Sequence, residues 1–251
     1  MFHHDVQYPV AVTSQDDEGL KAGLRWCLEH QAAGEHVTVW THLKSYLGNN
    51  RPLERFVSSR RDVEHVTARG GAFVSHAGPV LMAWPDPGDI AQFTGDNANR
   101  ITALCVVAWN QDRLRPWVTA ARPELLGDAS PWRVLTPNLD PVVEEGMKSL
   151  TRGINHNNTI AAGYEKDAVV STLLALHDAG YALDGPALAG WAVAHGWTSD
   201  NPTLLENYVT AINRGSRPRV RRGLTPGPRR QFPGQGRTTR RSSRLRLKPA
   251  Q

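Results

Sequence analysis

The chain has 251 residues, 40% of them hydrophobic, with eight Trp, two Cys and a formal charge of +5. That length supports one large domain or two small ones with a full core, and two cysteines make neither a disulfide framework nor a zinc spacing, which fits a reducing compartment. No apolar run approaches the ~18 residues that span a bilayer, and residues 1–5 have neither a positive nor an apolar signal region, so the expectation is a cytoplasmic protein with no membrane partner.

The charge is divided along the chain. Residues 214–251 hold thirteen of the 29 basic residues and no acid, while residues 1–213 hold the other 16 against all 24 acids. The C-terminal segment is thus +13 and the remainder −8.

In chain order, residues 6–12 read as a first strand, with Pro9 favouring an edge or entry position. Residues 13–18 supply capping side chains and then acids where the helix dipole favours them, predicting a helix to about Ala33 that Gly34 closes. Residues 37–40 form an apolar strand running into Thr41 and His42. Residues 44–51 read as a polar loop, and Pro52 opens a helix carrying Leu53, Phe56 and Val57. Residues 62–84 predict strand, turn, strand, turn, strand: 63–67, Gly70-Gly71, 72–75, Gly78-Pro79 and 80–84. A hairpin at Gly70 would add an antiparallel edge. A short helix over about 86–93 precedes a strand over 103–109, and 112–122 is helical up to Pro123.

Three of these strands close on Trp40, Trp84 and Trp109 and then turn polar at once, which predicts three neighbours in one sheet. The fold class expected is α/β, with a mostly parallel sheet flanked by helices, followed by a small all-α bundle and a disordered basic tail. Residues 127–141, with three prolines and Trp132, mark the boundary. The expected division is an α/β domain over 1–136, a helical domain over 137–213 and a disordered Arg-rich tail over 214–251. Helices are expected over 142–150, 165–179, 184–195 behind the cap Asp184, and 201–213 opened by Asn201-Pro202. Beyond Asn213 the Arg, Pro, Gly, Ser and Thr composition leaves little to bury.

The stretches VTVWTHLKS, DVEHVTARGG, GPVLMAWPD and INHNNT…HDAGYALDG…GWAVAHGW together resemble a family of actinobacterial proteins with no assigned activity. The likeness covers most of residues 37–213. It implies that the two modules normally occur in one chain, and it implies no activity, cofactor or catalytic residue.

Ligands of open α/β sheets bind beyond the carboxyl ends of the strands, at helix amino termini. That rule gathers Ser14, His42, Lys44, Asp86, Asp89, Asn110 and Asp112 on one rim. One reading is a metal-dependent phosphoryl-transfer enzyme, a nuclease or phosphohydrolase. Asp86, Asp89 and Asp112 would hold Mg²⁺, His42 would act as acid or base, and Lys44 would face a phosphate. Against it, Asp86 and Asp112 are ordinary helix caps and His42 an ordinary exposed residue. Another reading is a small-ligand sensor at the same rim. Walker, dinucleotide, nucleophile-elbow and zincin motifs are all missing. Trp40, Trp84 and Trp109 read either as a platform for a base or, more often for such positions, as core filling under the helical domain. Residues 186–213 have a helix-turn-helix outline with Asn207 and Thr210 facing base edges, but the last helix has no Arg or Lys before Arg214.

The C-terminal segment is the strongest functional signal. Arg214, Arg217, Arg219, Arg221, Arg222, Arg229, Arg230, Arg237, Arg240, Arg241, Arg244, Arg246 and Lys248 would attract a polyanion by counterion release, without sequence preference. The same segment could instead lie against the acidic body. The leading expectation is a non-enzymatic, nucleic-acid-associated protein that binds DNA or RNA through this tail and needs no cofactor.

Overall fold

The computed structural model describes residues 8–70, 73–128, 132, 139–155 and 158–221. Six strands form one sheet: β1 (Val10–Ser14), β2 (Val37–Thr41), β3 (Val63–Thr67), β4 (Gly78–Ala83), β5 (Ile101–Ala108) and β6 (Glu124–Leu125). Their order is β3-β2-β4-β5-β1-β6, and every pairing is parallel. β2 and β4 are buried along their whole length; β4 is accordingly a continuous apolar run, and the two buried threonines of β2 donate their hydroxyls, Thr38 to Glu64 and Thr41 to the Leu43 carbonyl. The three strands that run up to tryptophans are β2, β4 and β5, and they are neighbours as expected.

Four helices cover the two faces. On one face α1 (Asp17–Glu29) and α3 (Arg51–Ser59) bury Leu20, Trp26, Cys27 and Leu53 against Val39, Leu81 and Cys105. On the other, α4 (Pro87–Asp96) and α5 (Gln111–Ala121) bury Ile90, Phe93, Leu114 and Trp117 against Val12, Met82 and Val106. The chain thus leaves β1 and β2 over one face and β4 and β5 over the other, as right-handed crossovers in both directions along the sheet require. The reversal falls between neighbours β2 and β4.

Two local expectations are corrected. Residues 73–75 form no strand, so the antiparallel hairpin near Gly70 is not made, and Gly71 and Ala72 lie outside the described residues. The segment after β3 is the crossover that carries the chain past β2 to β4. Its backbone is committed to side chains: Val74 N–H donates to Asn97 Oδ1 at 2.9 Å, and Ser75 N–H to Glu64 Oε1 at 3.1 Å. The polar stretch after β2 is not all loop, because Lys44–Gly48 forms the short helix α2.

Four more helices follow: α6 (Pro141–Gly153), α7 (Gly163–Asp178), α8 (Gly185–Ala194) and α9 (Asn201–Asn213). Asp184 caps α8 by accepting from Ala187 N–H at 2.9 Å. Asn201 does not cap α9; its buried amide holds Ile160 N–H at 3.0 Å and Asn158 O at 2.8 Å. α8 is the central helix. Leu188, Trp191 and Ala192 face the bundle core, whereas Val193 and Ala194 join the core under α4 and α5.

Helix direction sets where the basic segment leaves the body. The end of α8 packs near Trp117 and Val118, late in α5, so α8 runs in the same sense as α5. α9 runs back, since Asn213 Nδ2 donates to Leu183 O at 2.8 Å, beside the start of α8. Its carboxyl end, with Arg214, therefore returns toward the end of the molecule where the strands finish. Among the described residues, no helix is long and apolar enough to cross a membrane.

Candidate functional site

A cleft of about 570 Å³ opens at the carboxyl ends of the strands, over the β2/β4 reversal. Its size falls in the ~300–1,000 Å³ range of small-molecule sites. Tyr46, Trp84 and Trp109 supply its aromatic lining, and His42, Asp89 and Asn49 are among its polar residues, together with Gln15, Asn50 and Asp86.

Local chain chemistry builds this rim. Each helix that starts here, α2 excepted, is capped by its own chain. Asp16 Oδ1 accepts from Gly19 N–H at 2.7 Å, Asn50 Oδ1 from Leu53 N–H at 3.0 Å and Asn110 Oδ1 from Arg113 N–H at 3.1 Å. At α4 the capping is reciprocal, with Asp89 Oδ2 accepting from Asp86 N–H at 2.9 Å. The Ser14 hydroxyl, donating to Asp16 at 2.7 Å, and then the Gly19 N–H hold the Asp16 carboxyl below its usual range. Asp86 pairs with Arg113 at 2.8 Å. His42 Nδ1 stands 3.3 Å from Asp89 Oδ1, so the residue after β2 is tied to the helix after β4 across the reversal.

The three tryptophans part company. Trp40 lies inside β2, is 1% exposed and packs edge-on to Phe93 at 6.4 Å between ring centres. Trp84 and Trp109 each follow the last residue of a strand, and of the two Trp84 still packs partly against the core under α1 and α3. Trp109 is 46% exposed. Trp84 is half-buried, with Tyr46 edge-on at 6.4 Å and a backbone φ of 59°, in the left-handed region that costs a non-glycine residue roughly 1–2 kcal/mol. Core filling under the helical domain therefore does not describe the three together: Trp40 fills the sheet core, and the other two line the cleft.

The structure brings together His42, Asp86 and Asp89 of the expected rim but not Asp112. The Asp112 side chain is 84% exposed and pairs with Arg115 at 2.8 Å, one turn along α5. Lys44 is exposed and Ser14 is spent on Asp16. Among the described residues, no group of three or more His, Cys, Asp or Glu is placed to hold a metal ion. Sequence reasoning does not single out Tyr46, Asn49 or Gln15. Recognition of α2 would have found the first two, because a three-residue spacing sets them on one helix face.

Asn207 is exposed on α9 and Thr210 is half-buried. Of the expected cationic residues, Arg214, Arg217, Arg219 and Arg221 are described. Arg222, Arg229, Arg230, Arg237, Arg240, Arg241, Arg244, Arg246 and Lys248 lie outside the described residues. Arg217 grips Asp178, at the end of α7, through two hydrogen bonds of 2.6 and 3.0 Å. That pair holds the Asp178 carboxyl below its usual range.

Residues 139–231 match a family model described as a domain of unknown function, DUF1889. The match begins just before α6 and takes in α6–α9 and the start of the basic segment, leaving the sheet and its cleft outside. No curated protein and no solved structure matches the chain.

Proposed function

We propose that this is a non-enzymatic, nucleic-acid-associated protein of the cytoplasm, whose Arg-rich C-terminal segment gives sequence-independent affinity for DNA or RNA. The observation that carries the reading is the charge division: thirteen cations and no acid follow Asn213, behind a body in which acids outnumber bases. Such a segment gains affinity by releasing counterions from a phosphate backbone. The direction of α9 supports the reading, because it delivers the segment to the end of the molecule where the cleft opens. The exposed Arg217–Asp178 pair is the kind of contact a phosphate exchanges for, so it ties Arg217 to the body only loosely.

The test compares the full chain with residues 1–213 on DNA and RNA at low and high salt. Among the described residues the last helix ends at Asn213, so the truncation leaves every described helix and strand in place. Contact with about six phosphates gives a log–log salt slope near −5 for the full chain, and the truncated chain loses both affinity and slope. Equal binding by the two chains, or none by the full chain at low salt, refutes the proposal.

A further inference from the structure

We propose that the cleft between β2 and β4 is a binding site for a free nucleobase or nucleoside, independent of the basic segment. Three features of the cleft point to a planar heteroaromatic ligand without a phosphate.

The first is its aromatic surface. Five large hydrophobic residues are exposed among the described residues, and two of them, Tyr46 and Trp109, line this one cleft with Trp84 between the ends of β4 and β5. Trp84 occupies a backbone position that glycine would hold without strain, so the ring is what that residue contributes. Faces of this kind stack on any base.

The second is uncommitted polar chemistry. The amides of Gln15 and Asn49 make no hydrogen bond among the described residues, and each offers both a donor and an acceptor, the pattern that base edges present in return. His42 is held at Nδ1 by Asp89, and its Nε2 makes no hydrogen bond among the described residues.

The third feature argues against a phosphate. The amino ends of α1, α3, α4 and α5 would otherwise hold an anion, but Asp16, Asn50, Asp86 with Asp89, and Asn110 already cap them. Two of the cleft's polar residues, Asp86 and Asp89, are themselves carboxylates. The site thus favours a nucleoside over its monophosphate.

Calorimetric titration of the full chain with adenosine, guanosine, cytidine and uridine, and with their 5′-monophosphates, tests this at high salt, where the basic segment is screened. The expected result is saturable one-site binding of at least one nucleoside, with its monophosphate binding no tighter. Trp109→Ala and Asn49→Ala each weaken it by roughly tenfold or more without moving the unfolding midpoint, since both side chains are exposed. Three results overturn the proposal: no nucleoside binds, monophosphates bind tighter than nucleosides, or affinity survives Trp109→Ala. Removal of residues 214–251 leaves nucleoside binding intact, so the nucleic-acid reading and this one fail separately.

Discussion

Gly190→Ala probes the contact that joins the helical half of the molecule to the sheet. Gly190 sits mid-way along α8 where it crosses α5. A methyl group there would stand 2.5 Å from Pro116 Cβ and 2.6 Å from the Trp117 nitrogen, against an ordinary carbon contact of about 3.5–4.0 Å. Two of the obstructing groups are fixed parts of α5, so no side-chain rotation clears them, and the helices must separate by about 1 Å. Such a gap forfeits a quarter to a half of the dispersion contact on either side, and the groups affected include Trp117, Val193 and Ala194. Helix propensity works the other way, since Ala in a helix interior is favoured over Gly by about 1 kcal/mol. Overpacking against backbone costs about 3 kcal/mol, so a net destabilisation of about 2 kcal/mol is expected. Urea unfolding of the full chain, followed by tryptophan fluorescence, measures it. Gly153→Ala is the control, because nothing lies within 4 Å of that position in α6 and propensity alone should stabilise it by up to about 1 kcal/mol. A Gly190→Ala chain as stable as the parent, or as stable as the control, would refute the close approach of α5 and α8.

Two further outcomes separate structural from surface roles. Trp40→Ala should cost about 3–5 kcal/mol as a core deletion, while Trp84→Gly should cost at least about 2 kcal/mol less, because relief of the left-handed backbone offsets the loss of a half-buried ring. Equal losses in chemical denaturation would place Trp84 in the core after all. Asp62 tests acid sensitivity: the Arg60 guanidinium, at 2.8 Å, and then Gln31, at 3.1 Å, hold its carboxyl down to about 2. Its folded value lies below the usual ~3.9, so its contribution to stability is complete above ~3.9 and is lost as pH falls toward 2. The difference in unfolding midpoint between the parent and Asp62→Asn should therefore shrink from pH 5 to pH 2, and a constant difference would contradict the pairing.

The amino-acid sequence by itself determined the parallel α/β sheet and most helix positions, since these follow from local chemistry. A strand covered on both faces tends to be apolar along its length, as in β4, and helix starts are marked by the side chains that satisfy free N–H groups, as at Asp16, Asp86 and Asp184. The same chemistry placed His42, Asp86 and Asp89 at strand ends. Weaker local signals misled or were silent. The crossover after β3 looks like a strand because Val74 must be buried, and the two-residue β6 is too short to leave a pattern.

Only the tertiary structure decided the site. Whether a tryptophan at a strand end falls inside the pleat, like Trp40, or beyond it, like Trp84 and Trp109, depends on where each ladder stops. Asp112 has the same residue type and position as a ligand but lies on the outer side of α5, beside Arg115. The cleft itself exists because the chain leaves β2 over one face of the sheet and β4 over the other. That divergence belongs to the order of the strands, and strand order is fixed by packing between residues far apart in the chain, which no local pattern records.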